Sequence, residues 1–274
     1  MTATSVERVL ARFVADVRLV VPAVAVWAHG SLALGDFRPE RSDLDLIAVV
    51  GTAPSGERWE ALAELHQRLM DEEPAAAKLH CSYMARDALA DSGADHVTWA
   101  HGRMLERPVT PVTRRELFEG GRVLYGPEPA RLLPPLAEGE LEEYVRRNLA
   151  TYWLPATGRP WLWWQDGWVD LGMLVLARSR VTLREGRLTT KREALAELLE
   201  MGAPPDVVRD IRDRRYGAPG PIGRRGRARR AVRARAFVRR GIRRTLAEGG
   251  ERGAPSGTGG ESGAPSGTGT GGGA

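Results

Sequence analysis

The sequence predicts an α/β unit, a mixed sheet with flanking helices, followed by an all-α helical bundle. Three observations predict it. Apolar runs at Val24–Ala28 and Leu46–Val50, and an alternating run at Ala77–Met84, have strand character and are interleaved with a segment of helical period. From Glu138 onward the apolar residues recur at helical spacing. From residue 249 the chain is almost entirely Gly, Ser, Thr, Pro and Ala, a composition that cannot build a packed core. We therefore place the α/β unit at residues 1–129, the helical unit at 130–247 and a disordered tail at 248–274. A chain of 274 residues suits two domains.

Val6 to Val17 has the pattern of an amphipathic helix. Val24-Ala25-Val26-Trp27-Ala28 is a buried strand that delivers Gly30-Ser31 to a turn, and Leu46-Ile47-Ala48-Val49-Val50 is the next strand. Glu57 to Glu72 is a helix with Ala61, Leu62, Leu65 and Leu69 on one face, ended by Pro74. Strand side chains alternate faces, so Leu79, Cys81 and Tyr83 face the helices, and Lys78, His80 and Ser82 the opposite side. Thr113–Glu119 and Arg122–Tyr125 supply a short helix and strand, closing this unit near Pro127-Glu128-Pro129. The bundle follows as Glu138–Trp153, broken at Pro155, then Gly167–Leu183. Thr189-Thr190-Lys191-Arg192-Glu193 reads as a capping box opening a helix through Met201. Asp206–Tyr216 is entered through Pro204-Pro205, and Arg224–Arg244 is helical in composition.

An apolar fraction of 42% supports packed cores. No stretch approaches the roughly 18 apolar residues of a membrane helix, and the first residues carry no secretion signal, so a cytoplasmic monomer without a membrane partner is expected. The single cysteine, Cys81, excludes a disulfide framework and a cysteine-based zinc site. Charge is unevenly placed. Between Arg209 and Arg244, 15 arginines stand against Asp210 and Asp213, a local charge of +13 in a chain of net +5, so the remainder is acidic. An acidic body suits a small cationic substrate, and a basic segment suits phosphate or nucleic acid. Without a groove-reading motif, nucleic acid is the secondary partner. Lys78 and Lys191 are the only lysines.

Residues 30–46 carry the chemistry. By strand alternation Asp43 and Asp45 point the same way while Leu44 and Leu46 enter the core. Two adjacent carboxylates repel unless a cation lies between them. Oxygen ligands from one or two carboxylates, completed by substrate phosphates, describe an Mg²⁺ site. Upstream, the small residues Gly30-Ser31 let backbone N–H groups approach phosphate oxygens.

Gly30-Ser31, Gly35 and Ser42-Asp43-Leu44-Asp45-Leu46 resemble the signature of the polymerase-β-like nucleotidyltransferases. The wider chain, over about residues 5–217, resembles the branch of aminoglycoside adenylyltransferases that modify streptomycin and spectinomycin. The resemblance implies transfer of AMP from ATP, with Mg²⁺, to a hydroxyl of a small cationic acceptor. It implies that Asp43 and Asp45 hold the metals, and that Gly30, Ser31 and Ser42 hold phosphates. The stretches Leu176-Ala177-Arg178 and Thr182–Lys191 are similar to one in which the family's lysine reaches the triphosphate, which makes Lys191 the counterpart and Tyr216 the nucleotide-contacting tyrosine. Where the family keeps a third carboxylate this chain has His80, whose neutral imidazole can accept a hydroxyl proton near neutrality. Trp153, Trp161, Trp163, Trp164 and Trp168 crowd together beside Asp166 and Asp170. Trp168 with these two aspartates is the candidate acceptor wall, through cation–π and ion-pair contacts. Two alternatives stay open: a protein or RNA acceptor, and a catalytically silent protein that binds nucleotide or nucleic acid.

Overall fold

The computed structural model describes residues 3–251. The expected disordered tail lies outside the described residues, except that 248–251 continue the last helix. Helix α1 (Ala3–Val20) precedes β1 (Ala23–Ala28) and β2 (Leu44–Val50), then α2 (Glu57–Glu72). Strands β3 (Leu79–Ala85), β4 (Asp95–Ala100) and β5 (Arg103–Pro108) follow, then α3 (Pro111–Gly120) and β6 (Arg122–Tyr125). The sheet order is β5-β4-β3-β2-β1-β6. Only β2 and β3 run parallel; the other neighbours are antiparallel.

One face of the sheet is covered by α1 and α2. Val6, Val9, Leu10, Phe13 and Val17 on α1 lie 3, 1, 3 and 4 residues apart, and this stripe packs with Leu62, Leu65 and Leu69 onto Leu44, Leu46, Leu79, Cys81 and Tyr83. The other face carries Ala25, Trp27, Ile47, Val49 and Met84, covered by Leu117 of α3 with Leu89, Val109 and Leu133. Lys78 lies in a 3-10 turn (Pro74–Lys78) ahead of β3 rather than on the strand, and its ammonium donates to Glu40 O at 2.6 Å. Residues 86–112, unassigned from sequence, supply the β4–β5 hairpin.

The remainder is helical: α4 (Glu140–Asn148), a π turn (Leu149–Trp153), α5 (Leu154–Ala156), α6 (Asp166–Glu185), α7 (Lys191–Glu200), α8 (Pro205–Tyr216) and α9 (Arg224–Glu251). Pro155 does not break the first of these as expected; it sits at the start of a last short turn that runs to Ala156. The capping box forms: Thr190 Oγ1 accepts the Glu193 N–H, and Glu193 accepts the Thr190 N–H. Leu149, Trp163, Met173, Leu176, Leu195, Val207, Ile211, Val238 and Ile242 form the core of these helices. α9 is thus built into that core through one face of an arginine-rich helix.

Candidate active site

A cavity of about 300 Å³ lies at one end of the second sheet face. His29, Gly30, Ser31 and Asp36 line it from the turn after β1, and Ser42, Asp43 and Asp45 from the start of β2. Arg107, Thr110 and Glu116 enter from β5 and α3, and Arg178, Lys191 and Arg215 from α6, α7 and α8.

Alternation along β2 accounts for the dyad. Leu44 and Leu46 are buried under α1 and α2, while Asp43 and Asp45 line the cavity on the opposite side. Asp45 pairs in register with His80, so the two side chains share a face, and Asp45 Oδ1 lies 3.5 Å from His80 Nδ1. Burial alone would raise the Asp45 carboxyl; the His80 contact and the charges of His29 and Lys191 outweigh it and hold the group below its ordinary value. The His80 ring sits edge-on to His101 at 4.7 Å and is nearly buried, beside the cavity rather than among the residues that line it. No group of three or more His, Cys, Asp or Glu side chains suited to a metal occurs among the described residues. Two carboxylate oxygen donors on one wall fit an Mg²⁺ that draws its other ligands from phosphates and water, not a metal caged by protein.

The turn after β1 is not the open cradle expected. Gly30 has φ +63°, and its N–H donates to Glu116 Oε2 at 3.1 Å, which occupies one of the groups expected to face phosphate. Ser31 lines the cavity. Ser42 also lines it, but its hydroxyl is buried and accepts the Arg38 N–H at 2.9 Å, which fixes the loop ahead of the dyad.

Across the cavity stand three cations. Lys191 is the first residue of α7, held there by the Thr190 cap. Burial lowers its ammonium below the ordinary lysine value, and the like charges of Arg215 and Arg178 add to this; Asp45 and Asp43 oppose it. Arg215 NH2 is buried without a hydrogen-bond partner, 3.8 Å from Asp36 Oδ2. Like charges gathered in a half-buried cleft favour a polyanion between them. Tyr216, expected at the nucleotide, has its hydroxyl donating to Asp36 at 2.7 Å and its ring beneath the Arg192 guanidinium at 4.5 Å; it supports the cation wall without lining the cavity.

The acceptor wall expected from Trp168, Asp166 and Asp170 is not brought to this cavity. Arg214 donates to Asp170 through Nε and NH2 at 3.0 and 2.5 Å, and Arg230 is bonded to Asp166. These carboxylates tie α6 to α8 and α9 and are already charge-compensated. Trp168 packs edge-on to Trp153 at 5.8 Å in the helical core, beside the buried Trp163, while Trp161 and Trp164 are exposed.

Asp36, Arg107, Glu116 and Arg215 were not singled out from sequence. Each is an ordinary charged residue in a loop, on an edge strand or on a helix, and only the fold turns it inward. Beside the cleft, and sharing Thr110 and Arg178 with it, lies a second cavity of about 210 Å³ whose other walls are uncharged and include Tyr144, Asn148, Val175, Ser179 and Thr182.

No family model matches the chain, and no curated protein matches it in sequence. In three dimensions, the six-stranded sheet followed by helices is the fold of an adenyltransferase of known structure. That structure is spectinomycin adenyltransferase AAD(9) from Enterococcus faecialis, solved with ATP and spectinomycin, to which this chain is similar with a TM-score of 0.63 at 12% identity. The match covers 88% of this chain and 97% of that chain, and at this identity it establishes the shared fold.

Proposed function

We propose that this protein is a metal-dependent nucleotidyltransferase that moves AMP from ATP to a hydroxyl of a small, aminoglycoside-like acceptor. The observation that carries the reading is the convergence of the Asp43 and Asp45 carboxylates with the Lys191 ammonium on one cavity, from opposite walls. In this reading residues 1–129 carry the dyad and 130–247 close over the nucleotide.

Asp43 and Asp45 would hold Mg²⁺, which when bound neutralises charge on the phosphates and on the attacking and leaving oxygens. Lys191, Arg178 and Arg215 bind the outer phosphates, with Ser31 on the opposite wall. The 210 Å³ cavity, uncharged apart from Arg178, takes the nucleobase, since its hydroxyl and amide groups hydrogen-bond a heterocycle while its apolar groups pack on the ring. The acceptor oxygen attacks the α-phosphorus, the bond to the bridging oxygen of the β-phosphate breaks, and pyrophosphate departs. His80 contacts Asp45 without lining the cavity, so it orients that carboxylate, and the hydroxyl proton leaves to water. Positioning and charge neutralisation supply most of the acceleration in such chemistry. A small acceptor is supported by the structural neighbour, which was solved with spectinomycin. The ion pairs of Asp166 and Asp170 give no ground for a cationic grip at those two residues.

Incubation with α-phosphate-labelled ATP, Mg²⁺ and a panel of aminoglycosides and spectinomycin tests the proposal. Label should pass to an acceptor with the wild type and be lost in Asp43→Asn and Asp45→Asn. Equal labelling by the variants would refute it. A second reading, nucleotide binding without turnover, is favoured by His80 standing beside Asp45 in place of a carboxylate. Tight binding of MgATP with no labelled product across the panel would favour that reading.

A further inference from the structure

Glu116 of α3 is a buried carboxylate that lines the cleft, and nothing in the chemistry above uses it. Its Oε2 accepts the Gly30 N–H at 3.1 Å and lies 3.0 Å from His29 Nδ1. Its Oε1 lies 3.5 Å from Arg178 NH2. Arg178 Nε in turn donates to Thr189 O at 2.9 Å, immediately before the Thr190 cap that starts α7 at Lys191. A continuous path therefore runs from the Gly30-Ser31 turn through Glu116 and Arg178 to the base of Lys191. The residue before Glu116 makes a parallel tie, with Arg115 NH2 donating to Gly186 O at 2.8 Å.

A buried carboxylate carries a desolvation penalty, and partners on both oxygens offset it. Only an ionised carboxylate accepts on both oxygens; an amide of the same shape presents a donor on one side. The site thus calls for Glu rather than for any side chain that fills the volume. The sheet side of the cleft hangs on one oxygen and the helical side on the other.

We infer that Glu116 is a positioning residue that sets the spacing between the two walls of the cleft, holding Arg178 and Lys191 opposite the Gly30-Ser31 turn at the separation a nucleotide's phosphates require. This rests on the nucleotidyltransferase reading for its consequence, but not for the bridge itself. Glu116 touches no reacting atom; it acts through Arg178 and through the turn.

Two arms test it. In ligand-free protein, a double-mutant cycle on thermal unfolding with Glu116→Gln and Arg178→Lys should be non-additive, because each substitution breaks the same contact. Additive losses would overturn the bridge. In steady-state transfer, Glu116→Gln should raise the KM for ATP roughly tenfold or more while kcat at saturating ATP stays within about threefold, since the dyad is untouched. Glu116→Asp, which keeps both acceptor oxygens but withdraws them, should raise KM in the same direction and serves if the Gln variant does not fold. A role confined to stability would instead lower kcat through loss of folded protein and leave KM unchanged, and that result would overturn the inference. If the wild type neither binds MgATP nor turns it over, the nucleotidyltransferase reading falls by itself, and the ligand-free cycle still decides the bridge.

Discussion

A Cβ placed on Gly30 would stand 2.7 Å from Asp45 Oδ2, on a backbone with φ +63°. Any side chain there collides with the dyad and is strained besides. Gly30→Ala should therefore cost labelled-AMP transfer at least about a hundredfold, with only about 1–2 kcal/mol of stability lost; wild-type transfer would contradict the close approach. His66 offers a second test away from the cleft. It is sandwiched against Trp99 at 4.8 Å with its Nε2 2.7 Å from Tyr83 OH, and burial, aided by the His80 charge, pushes its pKa down to about 3. The unfolded chain protonates near pH 6.5 and the folded one does not, so this contribution is intact above that value. It is lost as pH falls below it, by about 1.4 kcal/mol per unit down to about pH 3. The thermal midpoint of His66→Gln should fall less steeply than that of the wild type between about pH 6.5 and pH 4, and parallel slopes would contradict the shift. The dyad was legible because alternation on a strand is a strong pattern. His66 and Glu116 were not, because a polar residue on an amphipathic helix reads as solvent-facing until its neighbours are known.

At the scale of elements, the capping box placed Lys191 correctly, since Thr190 and Glu193 satisfy each other locally and need no tertiary partner. The β4–β5 hairpin was invisible for the opposite reason. Arg103–Pro108 is a charged edge strand with little burial, and its turn relies on His101 with φ +53° and Gly102, a pair without the usual Asn-Gly signature. Position on an element also separates the two lysines. Lys191 faces Asp43 and Asp45 across the cavity, whereas Lys78 lies ahead of β3 with its ammonium on Glu40 O. Lys191→Ala should weaken MgATP about tenfold or more and Lys78→Ala less than about twofold, though each removes one charge. Calorimetric titration decides this, and equal losses would reduce the Lys191 effect to bulk electrostatics.

For the whole molecule, part of the charge segregated along the chain is paired internally. Arg214 joins Asp170 and Asp210, Arg230 joins Asp166 and Asp210, and Arg233 joins Asp206, so α9 is fastened to α8 through Asp206 and Asp210 and to α6 through Asp166, one of the two aspartates read earlier as an acceptor wall. Sequence composition revealed the imbalance but not its partners, which lie 64 residues apart in the case of Arg230 and Asp166. Deletion after Gly217 would also strip Phe237, Val238 and Ile242 from the helical core. At about 1.5–3 kcal/mol for each buried side chain, this loss is comparable to the whole stability of a domain. The truncated protein should lose the cooperative unfolding of its helical part, and an unchanged thermal midpoint would contradict the packing. The central claim, that the dyad and the cation wall form one metal-dependent nucleotide site, is tested most directly by titrating ATP into wild type and Asp45→Asn, with and without Mg²⁺. Binding to the wild type should weaken about tenfold or more without Mg²⁺, and Mg²⁺ should make no difference to Asp45→Asn; ATP affinity indifferent to Mg²⁺ in the wild type would contradict a shared metal-dependent site.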